Sequence, residues 1–144
     1  MQPDEIDWKI IDILRKGHVP NIAIARKLGL SESTIRQRIK KLKKSGILEI
    51  KALINPEVLE SKLLVVIAVN LKETKLLDIK AKEIAELENV LHVIAVSGQY
   101  DLLVEVLLDS NRGLMKFLTD TLTTVEGIST TQSFIALKSY RKFV

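Results

Sequence analysis

The chain has 144 residues, no cysteine, 47% hydrophobic and only 4% aromatic residues, and a formal net charge of +4. Without cysteine it can form no disulfide framework and offers no thiolate for catalysis or metal binding. The longest apolar run, residues 63–69, is far shorter than the roughly 20 residues of a membrane span, and the acidic N-terminal segment is unlike a secretory signal, so we expect a soluble, cytoplasmic protein without membrane contact.

The first 46 residues predict three short helices, because apolar residues recur there at helical spacing between capping residues. The first helix follows Asp4 and ends at Gly17, the second ends at Gly29, and the third begins after Ser31 and ends at Gly46. Acidic residues in the first turn of the first helix are expected to complement the helix dipole.

The pattern changes after the third helix. Residues 47–54 are rich in β-branched and apolar residues, and they predict a strand that links two halves and ends at Asn55-Pro56. Beyond it the order is βαββαβ, with strands over 63–71, 90–96, 100–108 and 129–137 and helices over 76–87 and 114–122. We therefore predict an α+β chain: a three-helix, winged-helix-like helix-turn-helix domain (1–46), a linker strand and hinge (47–60) and a ferredoxin-like sandwich (61–144).

The second and third predicted helices fit a helix-turn-helix, a motif that places its second helix in the major groove of DNA. Ala25 supplies the small residue at the helix crossing, Gly29 the tight turn, and Ile35 the apolar anchor of the second helix. At 100° per residue, Ile39 and Leu42 lie on the same buried side as Ile35. The outward face and its flanks give the candidate DNA-binding residues Ser33, Thr34, Arg36, Gln37, Arg38, Lys40, Lys41 and Lys44.

The charge distribution supports this prediction. Residues 1–50 carry 11 basic and 6 acidic side chains, a formal +5, whereas residues 51–144 carry 11 and 12, a formal −1. Amide and hydroxyl groups read base edges, and lysine and arginine bind phosphates. A lysine-rich helix face is often merely solvated, but here it coincides with the helix-turn-helix spacing, so we expect double-stranded DNA as a partner.

The predicted sheet has too many apolar residues for a sheet with one face in water. Two helices cover only one face, yet residues 63–69 and 102–108 are apolar at nearly every position. We therefore expect a homodimer formed through the second sheet face. The alternative is that the linker or the N-terminal helices of the same chain cover that face.

These residues resemble the Lrp/AsnC (feast/famine) family of transcriptional regulators over nearly the whole chain. The resemblance rests on DWKIIDIL at 7–14, GLSESTIRQRIKKL at 29–42, GIL at 46–48, GQYDLL at 98–103, GI at 127–128 and TQS at 131–133. It implies dimers that assemble further, for example into octamers, and a free amino acid as effector at the contact between dimers. By the same resemblance, the effector-binding residues are Gly98, Gln99, Tyr100, Asp101, Thr131 and Ser133.

An enzyme would need a catalytic constellation, and the sequence offers none. His18 and His92 lie in different predicted domains without ligand-spaced partners, so we expect neither a metal site nor a cofactor. Two other functions are left open. The protein could be an effector-sensing assembly module without specific DNA binding, or an architectural protein that binds DNA of any sequence.

Overall fold

The computed structural model describes residues 1–144, and the chain divides into two compact units, Met1–Ala52 and Leu53–Val144. The division between the units lies inside the segment 47–60 that the sequence marks as a linker. None of the helices combines the length and the apolar character that crossing a bilayer requires.

The N-terminal unit contains three helices: α1 (Glu5–Leu14), α2 (Asn21–Leu28) and α3 (Glu32–Lys44). Local signals fix where they begin and end. The side chain of Asp4 accepts a hydrogen bond from the Asp7 N–H at the start of α1, and Ser31 Oγ accepts one from the Thr34 N–H at the start of α3. Gly29 ends α2 with φ = 67°, a left-handed conformation that favours glycine.

A small apolar core holds the three helices together. Its buried residues come from all three helices: Ile10, Ile24, Ala25, Ile35 and Ile39. Ile10, Ile24 and Ile35 have no exposed surface at all. Because the buried residues of α3 lie on one side, the opposite side of the helix faces solvent.

The predicted linker strand over residues 47–54 is wrong. Residues 47–55 form no strand, and a short 3₁₀ helix, Pro56–Val58, follows them. β-branched residues favour an extended backbone, but a strand also needs a neighbouring backbone to bond with. Only Ile54 finds one: its N–H donates to the Val144 carbonyl oxygen at 2.8 Å, and the Val144 N–H donates back at 3.0 Å.

The C-terminal unit has the order βαββαβ. Its elements are β1 (Leu63–Leu71), α4 (Leu77–Ala85), β2 (Val90–Ala95), β3 (Leu102–Leu108), α5 (Asn111–Lys116) and β4 (Ile128–Ile135). A 3₁₀ turn precedes α4, and α5 continues as a π-helical turn and a 3₁₀ turn as far as Thr124. The four strands form one antiparallel sheet in the order β2-β3-β1-β4, so the predicted ferredoxin-like arrangement is confirmed.

One face of this sheet carries the core. Alternate residues of the two central strands, such as Val65 and Ile67 on β1 and Val104 and Val106 on β3, are fully buried. They pack together with Ile84 of α4 and with residues of the turns that follow α5. We call this the helix-covered face, and the opposite one the outer face.

The outer face is apolar but partly covered by the chain's own C-terminal tail. Ile94 and Phe134 of this face are 49% and 46% exposed. Between them Glu105 is only 8% exposed, and its Oε2 accepts from Lys142 Nζ at 2.7 Å and lies 3.2 Å from His92 Nε2. The tail therefore covers part of this face, whereas the expectation from the sequence was a second copy of the chain, with the linker or the N-terminal helices as the alternative.

Candidate nucleic-acid interface and effector-binding residues

The solvent side of α3 is the first candidate site. Ile35, Ile39 and Leu42 are buried, as predicted, and fix which side of the helix faces outward. The predicted DNA-binding residues that are exposed on the other side are Ser33, Arg36, Gln37, Lys40, Lys41 and Lys44, whereas Thr34 and Arg38 are half-buried. The exposed set contains hydroxyl, amide and cationic groups, which are the groups that contact bases and phosphates.

The two arginines of α3 differ in their surroundings. Arg36 Nη2 lies 2.5 Å from Glu32 Oε1, one turn earlier on the same helix, and the arginine side chain is 67% exposed. Exposed pairs of this spacing contribute only about 0.3–0.5 kcal/mol, so Arg36 can exchange Glu32 for a phosphate at little cost.

Arg38 is held by acids from another helix. Its Nη1 donates to Asp4 Oδ2 and to Asp7 Oδ1, both at 2.7 Å, and its side chain is 27% exposed. These bonds raise the pKa of Arg38, with Asp4 contributing more than Asp7. The pKa of Asp4 is lowered, first by the hydrogen bond from the Asp7 backbone and then by Arg38. Arg38 is one of the DNA contacts predicted from the sequence, but the structure places it in this network.

A groove of about 370 Å³ runs beside the exposed side of α3. Thr34, Gln37, Arg38 and Lys41 line one wall. The opposite wall belongs to the N-terminal segment, with Met1, Gln2, Asp4 and Asp7. Residues before α1 thus lie next to the predicted reading face.

The second candidate site is at one end of the sheet. Val69 of β1 is opposite Leu102 of β3 on one side and Thr131 of β4 on the other. The hairpin that precedes Leu102, with Gly98, Gln99, Tyr100 and Asp101, therefore lies at the same end of the sheet as Thr131. Gly98 has φ = 130°, which suits glycine.

Bonds within the chain already engage two of the predicted effector residues. Asp101 Oδ2 accepts from the Leu71 N–H at 2.8 Å, where the register of β1 and β4 shifts, and Tyr100 Oη donates to Gln132 Oε1. Ser133 lies further along β4, opposite Ile67. A cleft of about 620 Å³ opens nearby, and Thr131 is the one predicted effector residue among those that line it.

Comparison with known proteins decides the family. The model of the Lrp/AsnC ligand binding domain matches residues 64–143, and the model of a winged helix-turn-helix DNA-binding domain matches residues 3–49. The chain belongs to the Lrp/AsnC family. The family resemblance and the predicted two-part fold are confirmed.

Relatives of this Lrp/AsnC regulator are similar over almost their whole length. The HTH-type transcriptional regulator FL11 of Pyrococcus abyssi is 36% identical over 96% of this chain and 92% of its own. The leucine-responsive regulatory protein of Haemophilus influenzae is 32% identical over 96% of this chain and 86% of its own. The protein is thus a DNA-binding transcriptional regulator with a ligand-binding domain, and not an enzyme.

Solved structures of Lrp/AsnC relatives agree with the fold. A leucine response regulatory protein of Mycobacterium tuberculosis superposes with a TM-score of 0.81 at 25% identity, over 97% of this chain and 96% of its own. A transcriptional regulator of Neisseria meningitidis, solved as a complex with L-Met, superposes with a TM-score of 0.70 at 27% identity. The superposition covers 98% of this chain and 94% of the Neisseria chain.

The bonds between α1 and α3 in this Lrp/AsnC chain were not predicted from the sequence. Asp7 is 3% exposed and binds Arg38, whereas the sequence suggested only that first-turn acids complement the helix dipole. A signal was present, because Asp4 and Asp7 have the spacing of a capping box, which turns one oxygen of each carboxylate back to the helix. The other oxygens were then free for a cation.

Proposed function

We propose that this Lrp/AsnC regulator binds a specific DNA site as a symmetric homodimer, with α3 in the major groove, and that a free amino acid modulates its binding or assembly. The observation that carries the proposal is the exposed side of α3, which presents hydroxyl, amide and cationic side chains opposite a buried apolar stripe. Two reading helices related by a twofold axis call for a roughly palindromic site with half-sites about one helical turn apart.

The α3 side chains divide by chemistry. Ser33, Thr34 and Gln37 are proposed to read base edges, because hydroxyl and amide groups both donate and accept hydrogen bonds. The cations Arg36, Lys40, Lys41 and Lys44 are proposed to bind phosphates, which gives affinity without sequence preference.

The test separates the two kinds of contact. A selection from random duplexes should enrich a motif, and a regulator should prefer it by at least about 10³ at physiological salt. Gln37→Ala should weaken binding to that motif by roughly 1–3 kcal/mol of binding free energy, and it should change the affinity for random DNA little. Lys41→Ala should weaken binding to the motif and to random DNA. It should also make the slope of log affinity against log salt concentration (the salt slope) about 0.9 less steep.

Lys82→Ala is the matched control, because Lys82 is an exposed lysine on α4 of the other unit. It should leave the affinity and the salt slope for both DNAs unchanged. If no motif is enriched, the protein is an architectural DNA binder and the proposal fails.

The effector is proposed to bind at the end of the sheet that holds the Gly98–Asp101 hairpin and, across β1, Thr131, with Ser133 two residues further along β4. Backbone N–H groups of the hairpin can hold an α-carboxylate, and Asp101 Oδ1 and the hydroxyls of β4 can accept from an α-ammonium. The Neisseria relative solved with L-Met supports the class of ligand. The test is a thermal-shift screen of free amino acids, in which a ligand of the folded state raises the apparent stability.

The homodimer is proposed to form through the outer face of the sheet, and dimers are proposed to assemble further, for example into octamers. The exposed Ile94 and Phe134 support this, because apolar side chains on one face favour burial against a second copy. Leu103→Asp on β3, or Val66→Asp on the neighbouring strand β1, should give monomers in analytical ultracentrifugation. Ile79→Asp is the control, since Ile79 is 55% exposed on α4 and should keep the dimer. Dimers of the Leu103 variant that match wild type would contradict the proposal.

The predicted division of labour is part of the same proposal. Residues 1–46 bind DNA, residues 47–60 serve as linker and hinge, and residues 61–144 bind the effector and assemble. A protein that acts on DNA works where the DNA is, so a cytoplasmic location goes with this function.

A further inference from the structure

We propose that Arg38 is a positioning residue of the recognition helix: Asp4 and Asp7 hold its guanidinium so that α3 is fixed against α1, and it does not bind a phosphate. The inference rests on the proposed role of α3 in reading DNA. It assigns to Arg38 a role opposite to the one that its type and position on the helix suggest.

The hydrogen bonds around Arg38 use every carboxylate oxygen of the two acids. Asp4 Oδ1 accepts from the Asp7 N–H at 2.8 Å, and Asp7 Oδ2 accepts from the Asp4 N–H at 3.1 Å, which closes the capping box of α1. The remaining oxygens, Asp4 Oδ2 and Asp7 Oδ1, both accept from Arg38 Nη1 at 2.7 Å. Each acid therefore holds the start of α1 with one oxygen and the middle of α3 with the other.

Burial makes this network costly to break. The side chain of Asp7 is 5% exposed, and Arg38 is the one cation bonded to it. If Arg38 turned to a phosphate, a buried carboxylate would lose its charged partner, which is strongly unfavourable. The phosphate would also approach two carboxylates. Arg36 has no such barrier, because the side chain of its acid partner Glu32 is 43% exposed rather than buried.

The network lies beside the side chains that it would position. Arg38 directly follows Gln37 and directly precedes the buried Ile39, and it lines the groove together with Gln37 and Lys41. Apolar packing of Ile35 and Ile39 holds α3 against the unit but is not directional. Two charge-assisted hydrogen bonds are directional, so they fix the rotation of α3 about its axis. Precise base contacts need that kind of support.

Asp7→Asn and Glu32→Gln form a matched pair for the test, since each replaces one carboxylate by a neutral amide and so raises the net charge by one. If charge alone mattered, both would tighten binding to all DNA. If Arg38 positions α3, Asp7→Asn should weaken binding to the enriched motif at least about tenfold and leave binding to random DNA equal or tighter. Glu32→Gln should keep the preference for the motif.

Arg38→Lys and Arg38→Ala complete the test, and they decide it if Asp7→Asn does not fold, which Trp8 fluorescence would show. Lysine keeps the charge, but its ammonium is one bond closer to the backbone than Arg38 Nη1, the nitrogen that bonds both acids, and it sits on a flexible stem. A phosphate contact would therefore survive in Arg38→Lys, whereas the fixed bonds to Asp4 and Asp7 would not. We expect both variants to lose the preference for the motif at least about tenfold with an unchanged salt slope.

A specific result would overturn the inference. In that result, Arg38→Ala makes the slope of log affinity against log salt concentration about 0.9 less steep, on the enriched motif and on random DNA alike, and keeps the preference for the motif. A normal preference in Asp7→Asn and Arg38→Lys would also overturn it, while the proposed function would stand. If the wild-type protein itself enriches no motif, the proposed function fails first, and the two failures are thus distinguishable.

Discussion

Truncation of Ile35 to alanine tests whether the apolar stripe of α3 holds the N-terminal unit together. Ile35 is fully buried, and it packs in a core cluster with Ile10, Ile24, Ala25 and Ile39. The change removes three carbons, each worth about 0.8 kcal/mol when buried, so the transfer free energy alone is about 2.4 kcal/mol. A cavity adds to this, and buried Ile→Ala changes cost about 2–5 kcal/mol in total. We expect Ile35→Ala to lower the free energy of unfolding of the N-terminal unit by about 3 kcal/mol.

The single tryptophan makes the measurement selective. Trp8 lies on α1 of the N-terminal unit, so its fluorescence during a urea titration follows that unit alone, whereas circular dichroism follows both units. Ile35→Ala should lower the urea midpoint seen by Trp8 and leave the transition of the sheet unit in place. DNA binding should fall in proportion to the folded fraction of the N-terminal unit.

Ile22→Ala is the matched control, because it deletes the same atoms from α2 at a position that is 57% exposed. Its effect should stay within about 0.5 kcal/mol. The reasoning would be refuted if both variants had the wild-type midpoint, or if both were destabilised equally.

Three further predictions follow from hydrogen bonds of named side chains. Ser31→Ala removes the acceptor for the Thr34 N–H and should cost about 1 kcal/mol in the transition followed by Trp8 fluorescence, while Ser31→Asn should cost little. The pKa of Asp4 is lowered from 3.8, so its stabilising effect is present above that value and is lost as the pH falls through the lower folded value. The difference in urea midpoint between wild type and Asp4→Asn should therefore be constant near neutral pH and shrink below pH 3.8; a difference that stays constant in acid would contradict this. Asp101→Ala leaves the buried Leu71 N–H without a partner and should cost about 1–3 kcal/mol by circular dichroism, whereas Asp101→Asn keeps an acceptor and should cost less. If Asp101 also binds the effector's ammonium group, Asp101→Asn should lose the amino-acid thermal shift while remaining folded.

Features set by neighbouring residues could be predicted from the sequence. The Ser31 cap, the Gly29 turn and the buried side of α3 depend on residues within one or two helical turns, and the structure has all three. The βαββαβ order was equally accessible, because the change from helical to alternating periodicity marks each element.

Features set by distant residues could not be predicted. The predicted strand over 47–54 does not form, because the composition favours an extended backbone but does not supply a neighbouring strand. The helical wheel gave the direction of Arg38 from the helix axis, but its partner Asp7 lies 31 residues away. Asp101 likewise bonds to the Leu71 N–H, 30 residues away along the chain.

The bonded pair Ile54–Val144 has a practical consequence for every experiment above. Residues added after Val144 would begin beside Ile54, the point from which the chain leads to the DNA-binding unit. Residues added before Met1 would begin in the groove that Gln37 and Lys41 line. A purification tag at either end therefore touches a region whose behaviour is being measured. Affinities and assembly states should be determined after the tag has been removed, or with the tag in an exposed loop of the sheet unit.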